Sequence, residues 1–306
     1  MEIRGSIDIG SNSILLLVGE FSKGVFKPLL NESTVTALGR DLDKNGAFHP
    51  ESMDISLETL KKYSKLARDV GLDPNQIIAT ATEASRVASN AKEFFQQVEL
   101  ETKIKVQTIT SEAEAFYSTK GITFNSEFDE EEIFIMDIGG ASTEVIQYQT
   151  KDEIIKHDFS LPMGAVRLTN WTDEGVENQK IEKILTDFSE SLSKMHTRKL
   201  YCVAGTMTSV GNMYLGHKEF KEKEIHGQKI SVSSIVQMSS KFQSYSEEDF
   251  LNEFPFLGKR AKTINGGLRV ALEVFASLGV EEVEISTYGL RYGTLEAGGI
   301  KNEYLA

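Results

Sequence analysis

The sequence predicts a two-domain α/β fold with mixed sheets, in which one structural unit occurs twice. The same order of elements, βββαβαβα, can be assigned in both halves of the chain. A glycine-containing loop follows the first strand of each half at the equivalent place. The 306 residues also suffice for two domains that each bury a core of their own.

The first half contains the first copy of this element order. Its predicted elements are strands 3–9, 14–20 and 25–29, a helix between Pro50 and Gly71, a strand 77–81, a helix after Asn90, a strand 104–109 and a helix from Ser111. The first of these helices is amphipathic, because five apolar residues recur at helical spacing on one face: Met53, Leu57, Leu60, Ala67 and Val70.

The second half repeats the order. Its predicted elements are strands 133–138, 144–148 and 154–159, one long helix over 181–192, a strand 200–204, a helical region, a helix around 268–278, a strand 283–286 and a last helix. This arrangement is that of two ribonuclease-H-like domains, residues 1–124 and 125–306, facing an interdomain cleft. We expect a hinge over residues 111–124 and a last helix that packs back on the first domain.

Composition and charge exclude several classes of protein. A net charge of −13 argues against a general nucleic-acid binder, which needs a basic footprint. No apolar run approaches the roughly 20 residues of a membrane span, and the N-terminus lacks the apolar region of a signal peptide. Cys202 stands alone in an apolar run, so neither a disulfide nor a zinc site is expected. A cytoplasmic enzyme is the expectation.

The two glycine-containing loops have the composition of phosphate-binding loops. Residues 8–13 read DIGSNS and residues 137–144 read DIGGASTE. Glycine lets backbone N–H groups approach phosphate oxygens, and hydroxyl or amide side chains add neutral donors. An aspartate at the strand end can hold a hydrated Mg²⁺. Either loop alone could be a tight hairpin turn, but two at equivalent places favour phosphate binding.

Seven segments in order along the chain carry a resemblance to the Ppx/GppA family of exopolyphosphatases and guanosine pentaphosphatases. They are DIGSNS (8–13), TEASRVASN (82–90), SEAEAFYSTKG (111–121), DIGGASTE (137–144), LPMGAVRLT (161–169), VAGTMTS (203–209) and STYGLRYGTL (286–295). The resemblance implies an actin/sugar-kinase/Hsp70-type fold. It also implies similarity to the short, two-domain members, because we expect no counterpart of the C-terminal HD-type domain of the longer members.

The resemblance also implies roles for individual residues. Glu114 matches the glutamate that orients or deprotonates the attacking water, and Glu112 is its competitor. Asp137 and Glu144 match the carboxylates that bind the catalytic Mg²⁺. The matching phosphate-binding positions are Ser11, Asn12, Ser13, Arg86, Gly139, Gly140, Ala141, Ser142 and Thr143.

The chain departs from the family pattern at three positions. Phe116 stands where the family's glutamate segment usually has arginine, and Lys262 where an aspartate is common. Ala141 replaces a frequent third glycine, and we expect a negative φ there because a positive one is unfavourable for alanine. Two further contacts are left open: Gly205 could lie at a ligand or simply form a turn, and Arg167 could face phosphate.

Three functions remain open at this point. The first is an exopolyphosphatase that removes terminal orthophosphate from inorganic polyphosphate. The second is a phosphohydrolase acting on guanosine pentaphosphate or tetraphosphate, and the third is a non-catalytic polyphosphate or alarmone sensor. A kinase or filament protein of the same fold is disfavoured, because those families lack the 82–90 and Glu114 segments. The sequence does not give the oligomeric state, although it is compatible with a homodimer.

Overall fold

This computed structural model describes residues 2–22, 25–124, 126 and 128–306, which contain both strands and helices. The strands are β1 (Glu2–Ile9), β2 (Ser13–Ser22), β3 (Val25–Val35), β4 (Ile78–Ala81), β5 (Val106–Thr108), β6 (Glu132–Ile138), β7 (Thr143–Gln149), β8 (Ile154–Leu161), β9 (Lys199–Val203), β10 (Lys229–Ser231) and β11 (Glu282–Ile285). The predicted start of the second domain, Asn125, lies outside the described residues.

The α-helices are α1 (Leu42–Asn45), α2 (Pro50–Asp69), α3 (Glu83–Val87), α4 (Ala91–Thr102), α5 (Ser111–Thr123), α6 (Ala165–Glu174), α7 (Glu177–Asp187), α8 (Ser189–Ser193), α9 (Ala204–Tyr214), α10 (Glu222–Ile225), α11 (Val232–Phe242), α12 (Glu247–Glu253), α13 (Ile264–Leu278) and α14 (Leu290–Ala297). Within the described residues, none of these helices combines the length and apolar character needed to cross a bilayer. The chain divides into two compact units: unit 1 is Met1–Phe124 with Leu290–Ala306, and unit 2 is Asn125–Gly289.

Unit 1 is built on a five-stranded sheet of order β3-β2-β1-β4-β5. The strands β1, β2 and β3 form an antiparallel meander, whereas β4 and β5 run parallel to β1. The helix α2 buries Leu57, Leu60 and Ala67, which confirms the predicted apolar face. The core of unit 1 also contains Ile7 and Leu16, both fully buried.

The last helix, α14, is part of unit 1, where it packs on α5 and β1. Thr294 Oγ1 lies 2.7 Å from Ser6 Oγ on β1, and both hydroxyls are buried. Gly293 faces α5 so closely that an added Cβ would overlap the Tyr117 carbonyl oxygen and lie 2.9 Å from Gly121 N. Glycine is therefore required at this helix crossing.

Unit 2 repeats the architecture in a six-stranded sheet of order β10-β11-β9-β6-β7-β8. The meander β6-β7-β8 is antiparallel, and β9 and β11 extend it in parallel. Thus β6 corresponds to β1, β9 to β4 and β11 to β5, while β10 adds an antiparallel edge strand. The predicted duplication and mixed sheets are confirmed.

Some predicted elements differ in detail. The single long helix expected over 181–192 is two helices, α7 and α8, separated at Phe188, whose ring packs 6.0 Å from Phe159. The strand expected to reach Ala204 ends at Val203 instead. Ala204 opens α9 with a φ of 68°, a left-handed conformation that no strand residue adopts. The helix α6 was not predicted over the segment in which it lies.

Candidate functional site

The two loops close in the same way. Gly10 N–H donates to Ser13 O at 3.0 Å in loop 1 (residues 10–13), and Gly139 N–H donates to Ser142 O at 2.9 Å in loop 2 (residues 139–142). Each loop connects two antiparallel strands whose last paired residues are Ile9 and Ile14 in unit 1 and Ile138 and Thr143 in unit 2. Ala141 is not among the residues with positive φ, as expected from its side chain. The two loops are therefore structural equivalents in the two units.

Loop 1 is held from behind by the segment that follows β3. The Ser11 carbonyl accepts a hydrogen bond from Gly39 N at 2.7 Å, and the Asn12 carbonyl accepts one from Thr36 N at 3.0 Å. In a trans peptide the C=O of one residue and the N–H of the next point in opposite directions. The N–H groups of Asn12 and Ser13 are therefore directed away from the supporting segment.

Loop 2 is held from behind by the first turn of α6. The Gly139 carbonyl accepts from Ala165 N at 3.0 Å, and the Gly140 carbonyl from Val166 N at 2.8 Å. An added Cβ on Gly164 would lie 2.6 Å from the Gly140 carbonyl carbon, so the backbones are in close contact. By the same peptide geometry, the loop N–H groups face away from α6, as in loop 1.

Side chains of the two loops differ in their availability. Thr143 is fully buried and its hydroxyl donates to Met163 O at 2.7 Å. A hydroxyl has one proton, so Thr143 stabilises the turn and does not offer that proton to a ligand. Ser11 and Ser142 are also buried, whereas Asn12 is half-buried. The backbone N–H groups are thus the main donors that the loops present.

Arg167 lies behind loop 2. Its Nη1 donates to the Ala141 carbonyl at 2.7 Å and to the Pro162 carbonyl at 3.2 Å. The sequence left open whether Arg167 contacts phosphate. In the structure, its Nη1 contacts the backbone of loop 2 and of Pro162 instead.

An acidic pair lies at the base of loop 2. Asp137 and Glu144 are directly opposite each other across β6 and β7, so both side chains lie on one face of the sheet. The equivalent pair in unit 1 is Asp8 and Leu15, so only unit 2 has two carboxylates here. Glu144 is buried and accepts a hydrogen bond from Ser160 Oγ at 2.8 Å.

Asp137 and Glu144 match the coordination preference of Mg²⁺. This ion is commonly held by one or two carboxylates while water and substrate phosphates complete its octahedron. Asp137 and Glu144 supply two carboxylates next to a loop whose N–H groups are directed away from α6. Among the described residues, no group of three or more His, Cys, Asp and Glu side chains forms a larger metal cluster.

Glu114 and Arg86 form an ion pair in unit 1. Arg86 Nη1 lies 2.6 Å from Glu114 Oε2, and the two side chains are 17% and 12% exposed. Arg86 also bonds Glu83 at 3.0 Å and the Ile109 carbonyl at 2.7 Å. Burial works to lower the pKa of Arg86, but the attraction of Glu114 and Glu83 outweighs it and raises that pKa. The three contacts fix Arg86 and, through it, the Glu114 carboxylate.

Glu112, the competitor of Glu114, is exposed near the start of α5. Hydrogen bonds from its own backbone N–H and from the Thr110 hydroxyl lower the pKa of its carboxyl group. Glu112 therefore interacts with the first turn of α5, whereas Glu114 is the buried carboxylate paired with an arginine.

Phe116 has a clear packing role. Its ring lies 5.1 Å from that of Tyr117 and 5.2 Å from that of Tyr304. Lys301 Nζ lies 4.9 Å from the centre of the Phe116 ring, a cation–π geometry. The C-terminal segment thus packs on the residue that departs from the family pattern, while Arg86 and Glu114 remain paired.

Arg260 is a further candidate that sequence reasoning did not single out. Its guanidinium lies over Gly205 at the start of α9, where an added Cβ would be 2.7 Å from Arg260 Nη2, and Nη1 donates to Ser209 Oγ at 3.2 Å. Burial lowers the pKa of Arg260. Its neighbour Lys262, by contrast, is exposed. The sequence did point to the turn at Gly205 and Thr206, but it did not show that Arg260 packs against this turn.

Comparisons with curated proteins give two groups of relatives. The chain is 29% identical over 308 residues to a bifunctional 3-dehydroquinate synthase/phosphatase of Fusobacterium nucleatum, covering 93% of this chain and 45% of that protein. It is 23% identical over 297 residues to a guanosine-5'-triphosphate,3'-diphosphate pyrophosphatase of Aeromonas salmonicida, covering 96% of this chain and 58% of that one. The chain thus spans about half the length of these relatives.

Solved structures share the fold over nearly the whole chain. An exopolyphosphatase from Cytophaga hutchinsonii matches with a TM-score of 0.87 and 22% identity, covering 98% of this chain and 99% of that one. The Aquifex aeolicus member of the Ppx/GppA family matches with a TM-score of 0.76 and 26% identity, covering 97% of each chain. The model of the Ppx/GppA phosphatase family matches residues 17–297 of the sequence. The chain belongs to the Ppx/GppA phosphatase family.

Proposed function

We propose that this protein is a phosphohydrolase that releases terminal orthophosphate from inorganic polyphosphate by in-line attack of water, assisted by Mg²⁺. One observation carries the proposal. In both units two successive carbonyl groups of a four-residue loop are bonded to a later backbone segment, so that the two N–H groups that follow them face the other way. Successive N–H groups of this kind form an anion-binding surface.

The chemistry of phosphoryl transfer suits such a site. The transferred group passes through a loose transition state, so catalysis depends on positioning and on neutralising charge. In unit 1 we assign to Glu114 the role of orienting the attacking water and accepting its proton. The Arg86 guanidinium, bonded to Glu114, Glu83 and the Ile109 carbonyl, holds that carboxylate in place. The direct contact between Arg86 and phosphate that the family resemblance implies stays a prediction.

In unit 2, Asp137 and Glu144 would hold the metal ion. When bound, Mg²⁺ would offset negative charge on the phosphate oxygens. Ser160, which donates to Glu144, would keep that carboxylate oriented. This local arrangement matters because the net charge of −13 repels a polyanion, so binding has to come from the loops, local cations and the metal ion.

A second candidate substrate is guanosine pentaphosphate. It is favoured by the similarity to the Aeromonas salmonicida guanosine-5'-triphosphate,3'-diphosphate pyrophosphatase. Both substrates present a terminal phosphoanhydride, so the same loops would serve either one. The sensor hypothesis was based in part on Phe116, which departs from the family pattern. Phe116 packs on Tyr304, and the ion pair of Glu114 with Arg86 is present beside it, which weakens this hypothesis.

The test is a phosphate-release assay with Mg²⁺ on polyphosphate, guanosine pentaphosphate and ATP. We expect release from polyphosphate, dependence on the divalent ion, and a strong loss in Asp137→Asn and Glu144→Gln. An exposed carboxylate of unit 2 gives the matched control, Glu190→Gln. Release that persists in excess EDTA would remove the metal ion from the proposal. Activity on guanosine pentaphosphate alone would transfer it to the second substrate, and no release from any substrate would favour a sensor.

A further inference from the structure

One of the carbonyl contacts that support loop 2 comes from a side chain. The Gly139 and Gly140 carbonyls are bonded to backbone N–H groups of α6, which any residue other than proline would supply at those positions. The Ala141 carbonyl instead accepts from Nη1 of Arg167 at 2.7 Å. The position of this last carbonyl is therefore set by a side chain.

Loop 1 shows the contrast. Asn12 is the structural counterpart of Ala141, since each is the third residue of its four-residue loop. The Asn12 carbonyl is held by two backbone N–H groups, those of Thr36 and Ala37, both at 3.0 Å. The equivalent carbonyl is thus held by backbone N–H groups in loop 1 and by the Arg167 side chain in loop 2.

The orientation of the Ala141 carbonyl determines that of the next N–H group. Because the peptide is planar and trans, a carbonyl directed at Arg167 directs the Ser142 N–H to the opposite side of the loop. Arg167 Nη1 is also bonded to the Pro162 carbonyl at 3.2 Å, which fixes the guanidinium on the α6 side.

We propose that Arg167 is a positioning residue that holds the Ala141–Ser142 peptide so that the Ser142 N–H can bind a phosphate oxygen. This inference rests on the proposed function, since it assumes that loop 2 binds phosphate. The ligand class is a terminal phosphoryl group of a phosphoanhydride. Lysine at this position keeps a charged donor, but its flexible stem lacks the planar guanidinium that holds Nη1 between the two carbonyls, so it should hold the peptide less firmly.

The experiment uses the full chain labelled with ¹⁵N and titrated with inorganic tripolyphosphate. In the unmodified protein the Ser142 amide resonance should shift saturably. Arg167→Ala should weaken tripolyphosphate binding about tenfold, the effect of losing one hydrogen bond to a charged group. It should also move the Ser142 resonance before any ligand is added. Arg167→Lys should lie between the two, and free guanidinium ion should restore binding to Arg167→Ala.

The matched control is Arg269→Ala, which removes an arginine on α13 that pairs with Glu273 in the same unit. It should change neither the resonance nor the affinity. A ligand-free Ser142 resonance unchanged by Arg167→Ala, with weaker binding, would mean that Arg167 contacts phosphate directly and would overturn the positioning role. Unchanged affinity in Arg167→Ala would overturn the inference and leave the proposed function standing. A Ser142 amide that ignores tripolyphosphate in the unmodified protein would reject loop 2 as a phosphate site altogether.

Discussion

Glu114 differs from Glu112, the other carboxylate of α5, in its burial and its contacts. It is buried and bonded to Arg86, which is itself bonded to Glu83 and to the Ile109 carbonyl. An ionised carboxylate is stable in such a place only because a cation is close to it. The pair also joins α3 to α5, two helices that are distant in sequence.

We predict that Glu114→Gln lowers phosphate release by at least about 10²-fold, as expected for a group that positions water or accepts its proton. The glutamine amide can still accept from Arg86, so the fold should persist. A steady-state assay measures phosphate release, and circular dichroism checks the fold. Glu112→Gln is the matched control and should retain most of the activity. Near-normal release in Glu114→Gln together with loss in Glu112→Gln would exchange the two assignments.

Tyr63 gives a prediction about pH. Its ring is fully buried and its hydroxyl donates to Ile14 O at 3.1 Å, and burial raises its pKa from 10.0 to about 12. The folded state then keeps the proton that the unfolded state loses. This contribution is complete below pH 10 and disappears as the pH rises towards 12. It amounts to about 3 kcal/mol.

The free energy of unfolding should therefore fall between these pH values in the unmodified protein, and fall less steeply in Tyr63→Phe. Urea titrations at several alkaline pH values measure this slope. Tyr214→Phe changes an exposed tyrosine and should leave the slope unaltered. Parallel slopes in Tyr63→Phe and the unmodified protein would contradict the role given to burial.

At the scale of elements, α5 and α14 cross in close contact at Gly293. An added Cβ at Gly293 would overlap the Tyr117 carbonyl oxygen, which belongs to the helix backbone and cannot rotate away. We predict that Gly293→Ala lowers the free energy of unfolding by several kcal/mol, at the upper end for single substitutions. Glu296→Ala, an exposed position on the same helix, should be nearly neutral in the same chemical denaturation experiment. An unchanged stability in Gly293→Ala would mean that α14 can move away without cost.

The elements that sequence patterns predicted well are those whose signal is local. The strands flanking both loops follow from apolar runs, and the helix α2 follows from a 3.6-residue apolar pattern within one segment. The helix α6 was missed because its first turn is stabilised by the loop 2 carbonyls, which lie about 25 residues earlier in the chain. The division of α7 from α8 was missed because the apolar spacing continues through Phe188.

The same distinction applies to the site. Composition was enough to identify both loops, because glycine and hydroxyl residues after an apolar strand are visible in the sequence. What the sequence could not show is which groups support the loops, such as Gly39 behind Ser11. The ion pair of Arg86 with Glu114 was also hidden, since it joins residues of two separate motifs. Contacts between residues that are distant in sequence produce no periodic pattern from which they could be predicted.

For the whole molecule, the net charge of −13 makes the salt dependence of substrate affinity informative. At 0.1 M salt, repulsion beyond roughly 10 Å is largely screened, so close contacts dominate. We predict that KM for polyphosphate rises with salt, because each cation engaged by a phosphate adds to the dependence, by analogy with nucleic-acid backbones. A nucleotide that presents fewer phosphates should show a smaller slope. Equal slopes in parallel assays would indicate that only terminal phosphates are bound, in favour of the nucleotide substrate.

The outer edges of the unit 1 sheet are protected by different means. At one edge, β3 carries Pro28 next to Lys27, and both residue types discourage pairing with another strand. At the other edge, the C-terminal residues cover the end of β5, with Ala306 N–H bonded to Thr108 O and Leu305 bridged to Ile109. Loss of these few residues would expose strand edge able to pair with a neighbouring molecule. We therefore expect resistance to aggregation at high concentration to depend on residues 305 and 306, to which no catalytic assay would draw attention.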